Sequence, residues 1–275
     1  MSDQQRGPFS DMHDEFNPKK LDVLAALREA YSGAWNNLSE MLRLIWLPGS
    51  LYLAFSLVGG FLPLEGNLLL GALVELATFF LWAIVSVAWY RFILVGAKPD
   101  RAYQINFGRR EARFLFVCLG LVMLAVPSLL FGGPPEFPPA EYMRGVIASA
   151  GAAGSLIGFF GIMLSFVGIY FLVRLLLLLP AVAIDEPLNV RMVLERTRGN
   201  FWRIAALSVL ASLPLLVIVT IVLAAGLPVF LAMIFSSLVS IFFAIVNVAV
   251  LAIAYRELIG PPGAMAADLD RQDTV

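Results

Sequence analysis

The chain has 275 residues, of which 60% are hydrophobic and only 14% are charged, and its formal net charge at pH 7 is −1. Soluble domains carry about 25% charged residues, so this composition excludes an ordinary soluble protein. Apolar runs of membrane-crossing length recur, and the alternating segments typical of a β-barrel are not found. The sequence therefore predicts an all-α, polytopic membrane protein. A net charge near zero argues against a nucleic-acid partner.

Few residues could hold a metal or a cofactor. Cys118, the single cysteine, lies in an apolar run, and His13, the single histidine, lies in a polar segment. We therefore expect neither an intrachain disulfide nor a thiolate metal site. The lysines Lys19, Lys20 and Lys98 lie outside the apolar runs, which argues against a Schiff-base cofactor. No phosphate-binding glycine loop or nucleophile elbow occurs, so no cofactor, metal or catalytic residue is predicted.

The first part of the chain has two sections of different character. Residues 1–18 are polar and lack the apolar core of a signal peptide, and we predict a disordered cytoplasmic tail. Residues 19–41 carry apolar side chains at helical spacing, among them Leu24, Tyr31 and Trp35, opposite a polar face. This pattern predicts an amphipathic helix lying in the membrane interface, and packing against the rest of the protein is the alternative.

We predict one membrane domain over 19–260, in which long apolar segments follow the helix at 19–41. The remaining residues, 261–275, are predicted to form a polar cytoplasmic tail. Pro48 and Pro127 should mark or kink helix ends. The prolines of 132–153 keep that connection out of the membrane, although its second half could form a surface helix over 140–150. The predicted crossings are 44–62, 67–95, 114–131, 154–184, 204–225 and 228–259.

The positions of lysine and arginine predict the orientation of these six crossings. Of the 19 basic residues, only Arg144 falls on one face of the membrane, and all the others fall on the opposite face. The positive-inside rule then places both termini of a multi-pass membrane protein in the cytoplasm.

A threefold pattern runs through the chain. Three of the crossings end with an arginine, namely Arg91, Arg174 or Arg256, that follows an aromatic residue by one or four positions. The other three crossings are each preceded by a basic segment. The basic segments are 19–41, 100–113 and 189–198. The pattern predicts three units, each an interfacial helix followed by a transmembrane hairpin. Interface chemistry alone can impose a similar pattern without a true repeat.

One stretch carries a resemblance to known proteins. The segment Asp185-Glu186-Pro187, continued by Thr-Arg-Gly-Asn-Phe-Trp-Arg at 197–203, resembles bacterial uncharacterised multi-pass membrane proteins. It is also similar to the membrane domain of glycerophosphodiester phosphodiesterases. The resemblance implies hairpins preceded by cytoplasmic amphipathic helices over residues 20–260. The phosphodiesterase catalytic domain is not found in these residues, so the resemblance does not imply its activity.

Two polar residues inside predicted crossings are candidates for a special role. Glu75 is the only acid away from the ends of a crossing, which indicates a proton or cation site or a contact with a partner. A protonated or interface-hydrated glutamate is the alternative. Asn247 is the best candidate for an interhelical hydrogen bond. Small residues four positions apart predict close helix packing, within the bundle or with another membrane subunit. They include Gly154, Gly158, Gly161, Ser165, Ser236 and Ser240.

Basic side chains at the predicted cytoplasmic boundary are candidates to bind anionic lipid headgroups, and a role as topology determinants is the alternative. These candidates are Arg91, Arg109, Arg110, Arg174, Arg196, Arg198, Arg203 and Arg256. We therefore predict a non-catalytic integral membrane protein that organises lipid or a membrane protein complex. A small transporter or permease, indicated by Glu75 and proline-interrupted helices, is the alternative.

Overall fold

The computed structural model describes residues 20–61, 68–97, 108–131 and 139–267. These residues are almost entirely helical and contain no strand, which confirms the all-α prediction. Of the described helices, three are long and apolar enough to cross a membrane, at Leu69–Val95, Phe201–Ala224 and Val229–Leu258. In chain order the described helices are α1 (Val23–Asn36), α2 (Leu38–Phe61), α3 (Leu68–Val95), α4 (Arg109–Phe131), α5 (Pro139–Leu175), α6 (Leu178–Ala183), α7 (Val190–Arg196), α8 (Phe201–Ala224) and α9 (Val229–Leu258).

The fourth predicted crossing, 154–184, is not one continuous helix. Its first part and the proposed surface helix at 140–150 belong to one helix, α5, which ends at Leu175. Pro180 explains this end, because it has no N–H and its ring would clash with the carbonyl of Leu176 if the helix continued. The chain instead restarts as α6, where Pro180 is tolerated in the first turn.

The basic segment predicted at 100–113 is only partly described. Residues 100–107 lie outside the described residues, and Arg109 already belongs to the first turn of α4, which continues without a break to Phe131. The segment predicted at 189–198 corresponds to α7, and Asn189 caps that helix by accepting a hydrogen bond of 2.9 Å from the backbone N–H of Met192.

Helix α1 packs on α8 and α9 through its small residues. Asp22 caps it by accepting hydrogen bonds from the backbone N–H groups of the first turn. Ala26, Ala30 and Ala34 are buried, and their four-residue spacing forms one narrow face. Leu24 and Trp35, which the amphipathic pattern placed on the apolar face, are exposed. The alternative prediction, that this helix packs against the rest of the protein, therefore applies to its alanine face.

A Schellman motif ends α6 and forms the acidic turn. Asp185 has φ 64°, and its N–H donates to the carbonyl of Val182. The N–H of Glu186 donates to the carbonyl of Ala181. These two bonds define the motif. Glycine is usual at the left-handed position, and aspartate is among the few other residues that tolerate it. The turn reverses the chain and directs Asp185 and Glu186 to different neighbours.

The buried core lies at one end of the long helices. The buried residues of α8 are Ile204, Leu207 and Ala211, all in its first half. Those of α9 lie mainly between Phe243 and Leu258, in its second half. We call this region the charged end, which consists of α1, α6, α7 and the adjoining ends of α3, α4, α5, α8 and α9. Beyond it, the far halves of α8 and α9 expose apolar side chains.

Helices α4 and α5 approach each other closely at Gly168. A Cβ atom added there would overlap the carbonyl oxygen of Leu124. Gly161, which belongs to the predicted small-residue stripe, is buried one heptad earlier on the same helix. Ser165 lies between them and donates to the carbonyl of Gly161 at 2.8 Å. This close contact therefore uses a glycine that the four-residue pattern did not include.

Candidate functional site

The charged end brings together most of the arginines that the sequence singled out, and it sorts them into two groups. Arg91, Arg110, Arg174, Arg203 and Arg256 contact protein acceptors. The remaining three, Arg109, Arg196 and Arg198, are exposed. The two groups are described in turn.

Asp185 is the centre of the first contact. It accepts hydrogen bonds of 2.8 Å from the Nε of Arg110 and lies 3.4 Å from a guanidinium nitrogen of Arg91. The turn after α6 is thereby joined to the end of α3 and the start of α4. The hydrogen bond from Arg110 holds the pKa of Asp185 below its ordinary value, and the same bond raises the pKa of Arg110.

Arg174, at the end of α5, is only 8% exposed. Its Nε donates to the Oγ1 of Thr197 at 3.0 Å, and one terminal nitrogen donates to the hydroxyl of Tyr170 at 2.7 Å. The other terminal nitrogen donates to the carbonyl of Leu194. A buried guanidinium is stabilised by such complete hydrogen bonding, and here it fixes α7 against α5.

Two residues of the 197–203 motif hold the backbone that leads into α1. The Oδ1 of Asn200 accepts from the N–H of Leu21 at 3.1 Å, and Arg203 donates to the carbonyl of Leu21 at 2.7 Å. Further along α1, Tyr31 donates its hydroxyl to the carbonyl of Ala211 at 2.8 Å. The start of α1 is therefore attached to α8. Because the bonds from Asn200 and Arg203 are made to backbone atoms of Leu21, they do not depend on the side chain at position 21.

The end of α9 and the residues after it are attached in the same region. Arg256 pairs with Glu29 of α1 at 2.8 Å. Glu186 is buried, and its carboxylate accepts from the backbone N–H groups of Gly263 at 2.5 Å and Met265 at 3.1 Å. A carboxylate at the start of a helical turn satisfies its free N–H groups. Residues 261–267, the described part of the predicted tail, thus fold onto the protein.

The second group of arginines is arranged differently. Arg109 starts α4, Arg196 ends α7, and Arg198 lies in the turn before α8. All three are exposed, and no acidic partner is found for them within the described ranges. Trp202, four residues after Arg198, is 80% exposed. Arg196, Arg198 and Trp202 therefore expose basic and aromatic side chains within a few residues of the start of α8, and Arg109 is exposed at the start of α4.

Glu75 and Asn247 lie in different surroundings. Glu75 is exposed on α3, and Leu73 and Leu76 beside it are also exposed. Asn247 of α9 donates to the Oγ of Ser212 on α8 at 3.2 Å and to the carbonyl of Phe243 at 3.0 Å.

The predicted small residues occupy two helices. Gly154, Gly158, Gly161 and Ser165 fall in α5, and Ser236 and Ser240 fall in α9, where both are half-buried.

The sequence did not identify the acceptors of these contacts as functional residues. Asp185, Glu186, Thr197 and Asn200 all belong to the segment that carried the family resemblance, and this clustering was the available signal. Glu29 had no distinguishing signal, because exposed glutamates are ordinary on a helix surface.

No group of histidine, cysteine and acidic residues suited to a metal ion occurs in the part of the chain that the structure describes. Comparison with protein-family models, curated proteins and solved structures finds no significant match to this chain. The resemblance to phosphodiesterase membrane domains therefore stays a prediction. The described part of the chain is helical, contains three helices of membrane-crossing length, and carries a polar network and exposed arginines at one end.

Proposed function

We propose that the protein is a non-catalytic integral membrane protein that organises anionic lipid, or a membrane complex, at the cytoplasmic face of the bacterial inner membrane. In this proposal the chain crosses the membrane six times, in three hairpins, with both termini in the cytoplasm. The observation that carries the proposal is the sorting of the arginines: five contact protein groups, and Arg109, Arg196 and Arg198 remain accessible.

The accessible surface has the chemistry of a membrane interface. Tryptophan is favoured at the headgroup level, where its ring is partly buried and its N–H is hydrated, and Trp35 and Trp202 are exposed at the charged end. Guanidinium groups pair with phosphate oxygens in two-pronged geometry. Next to an anionic leaflet each basic side chain contributes about 1 kcal/mol, so three contribute about 3 kcal/mol.

Lipid analysis of the purified protein tests this role. The triple variant Arg109→Gln, Arg196→Gln and Arg198→Gln should retain less anionic lipid after mild-detergent purification, measured by native mass spectrometry. Arg144→Gln is the matched control, because it removes a basic residue that the proposal places on the opposite face of the membrane. Equal anionic lipid in the triple variant and the wild type would contradict the proposal.

The second half of the proposal, a contact with another membrane protein, rests on Glu75. An acid on an apolar helix surface is costly in lipid unless it is protonated, hydrated or paired. Its exposed position favours a partner over transport, because a transport site is expected within a cavity of the bundle. Glu75→Gln should therefore leave ion flux in proteoliposomes at the background level of the wild type. A flux that this substitution abolishes would instead establish the transporter alternative.

A further inference from the structure

Three helices line a small, partly open cavity away from the charged network. The cavity has a volume of about 40 Å³ and lies between α2, α3 and α9. Gly49 and Tyr52 line it from α2, and Ser240 and Ala244 line it from α9. Most of the remaining wall is apolar, with two exceptions on α3.

The exceptions are Ser86 and Trp89. Both residues line the cavity, both are only 1% exposed, and they are three positions apart on one face of α3. The Oγ of Ser86 and the Nε1 of Trp89 have no hydrogen-bond partner among the described residues. Buried polar atoms are almost always hydrogen-bonded, by protein or by ordered water, so two such atoms at one cavity need an explanation.

Ser86 differs from four other hydroxyl residues in the long helices. Thr78, Ser165, Ser212 and Thr220 each donate to the carbonyl four residues earlier, at 2.7 to 3.0 Å. This local bond is the usual solution for serine and threonine inside a helix. Because Ser86 does not form it, its hydroxyl is available to a group inside the cavity.

The size and chemistry of the cavity restrict what can occupy it. A water molecule needs about 10–15 Å³ of such volume, so about three waters fit. An indole N–H can only donate, so the occupant must contain a hydrogen-bond acceptor. None of the lining residues carries a formal charge, which disfavours an ion in this apolar setting.

We propose that this cavity is an internal hydration site. Ordered water accepts the hydrogen bond of Trp89 Nε1 and bridges to the hydroxyl of Ser86, and the bound water also faces Ser240 of α9. The site thereby links α3 to α9 through water within an otherwise apolar contact. It does not depend on the lipid-binding role proposed above.

Nuclear magnetic resonance of the ¹⁵N-tryptophan-labelled protein in nanodiscs tests the site. The chain has 5 tryptophans, and Trp89→Phe assigns the indole signal of interest. We expect a cross-peak between this indole proton and water with the sign of long-lived bound water, whereas the exposed Trp202 contacts only fast-moving solvent. Ser86→Ala should weaken the cross-peak. A Trp89 indole without a water cross-peak, together with xenon-induced shifts at the Ala244 methyl, would show a dry cavity and overturn the proposal.

Thermal stability gives an independent measurement. If water pairs with both groups, Ser86→Ala and Trp89→Phe should each lower the melting temperature, and the double variant should lose less than the sum of the two losses. Ser165→Ala is the control for the serine substitution, because its hydroxyl bonds its own helix. A rise in melting temperature for Trp89→Phe would mean that the N–H has no partner at all, which contradicts the hydration site.

Discussion

Replacing Gly168 by alanine should separate α4 from α5. The new Cβ would overlap the carbonyl oxygen of Leu124, because carbon and oxygen normally approach no closer than about 3.3 Å. One helix must therefore move away, because a backbone oxygen cannot rotate out of the contact. Overpacking of this kind costs about 1–3 kcal/mol.

Alanine also favours a helix over glycine by about 1 kcal/mol, which would offset part of this cost. Gly120→Ala is the control that removes this ambiguity, because Gly120 lies inside α4 and a Cβ there meets nothing within 4 Å. Both variants gain the same helix propensity, so the difference between them measures the contact itself.

Thermal unfolding in detergent, followed by tryptophan fluorescence, gives the comparison. We expect Gly168→Ala to be less stable than Gly120→Ala by about 2 kcal/mol, which corresponds to about 4–8 °C in melting temperature for a chain of this size. Equal melting temperatures for the two variants would refute the reasoning, because the two helices would then not touch at Gly168.

Three further predictions concern the charged end. Asp185→Asn should cost up to about 1 kcal/mol at neutral pH. Arginine lowers the folded-state pKa of Asp185. The stability difference between this variant and the wild type should therefore be complete above about pH 4 and vanish as the pH falls through the folded-state pKa. A difference in melting temperature that does not change with pH would contradict this prediction. Glu186→Gln removes a buried charged acceptor and should cost about 1.5–3 kcal/mol, with faster amide hydrogen exchange in the segment it caps, whereas exposed Glu195→Gln should leave that exchange unchanged. Asn200→Ala deprives the N–H of Leu21 of its acceptor and should cost about 1–3 kcal/mol; unchanged amide exchange at Leu21 would argue against this role.

Helix content and location could be predicted because they depend on composition and local period. The apolar runs identified α3, α8 and α9, and the polar interval at 189–198 identified α7. The end of α5 was missed because hydropathy continues through Pro180, while the backbone cannot. A stricter use of proline geometry would have placed that boundary from the sequence.

The packing faces and the pairings could not be predicted in the same way. The amphipathic pattern of 19–41 predicted an apolar face in the membrane interface, and it did not predict that the alanines of α1 form the face that packs on protein while Leu24 and Trp35 stay exposed. Arg174 and Tyr170 form a pair because four residues make one helical turn, so this contact was readable from the spacing. Asp185 pairs with Arg91 across 94 residues, and no local pattern encodes such a pairing.

The attachment of α1 to α9 has a consequence for the order of assembly. Glu29 and Arg256 are 227 residues apart, so a ribosome adding about 5–20 residues per second needs roughly 11–45 s to deliver the partner. During that interval the alanine face of α1 has no complete surface to cover it. Among the described helices, α1 is therefore one of the last to dock, and a nascent chain released before α9 is synthesised lacks one of the two long helices on which α1 packs.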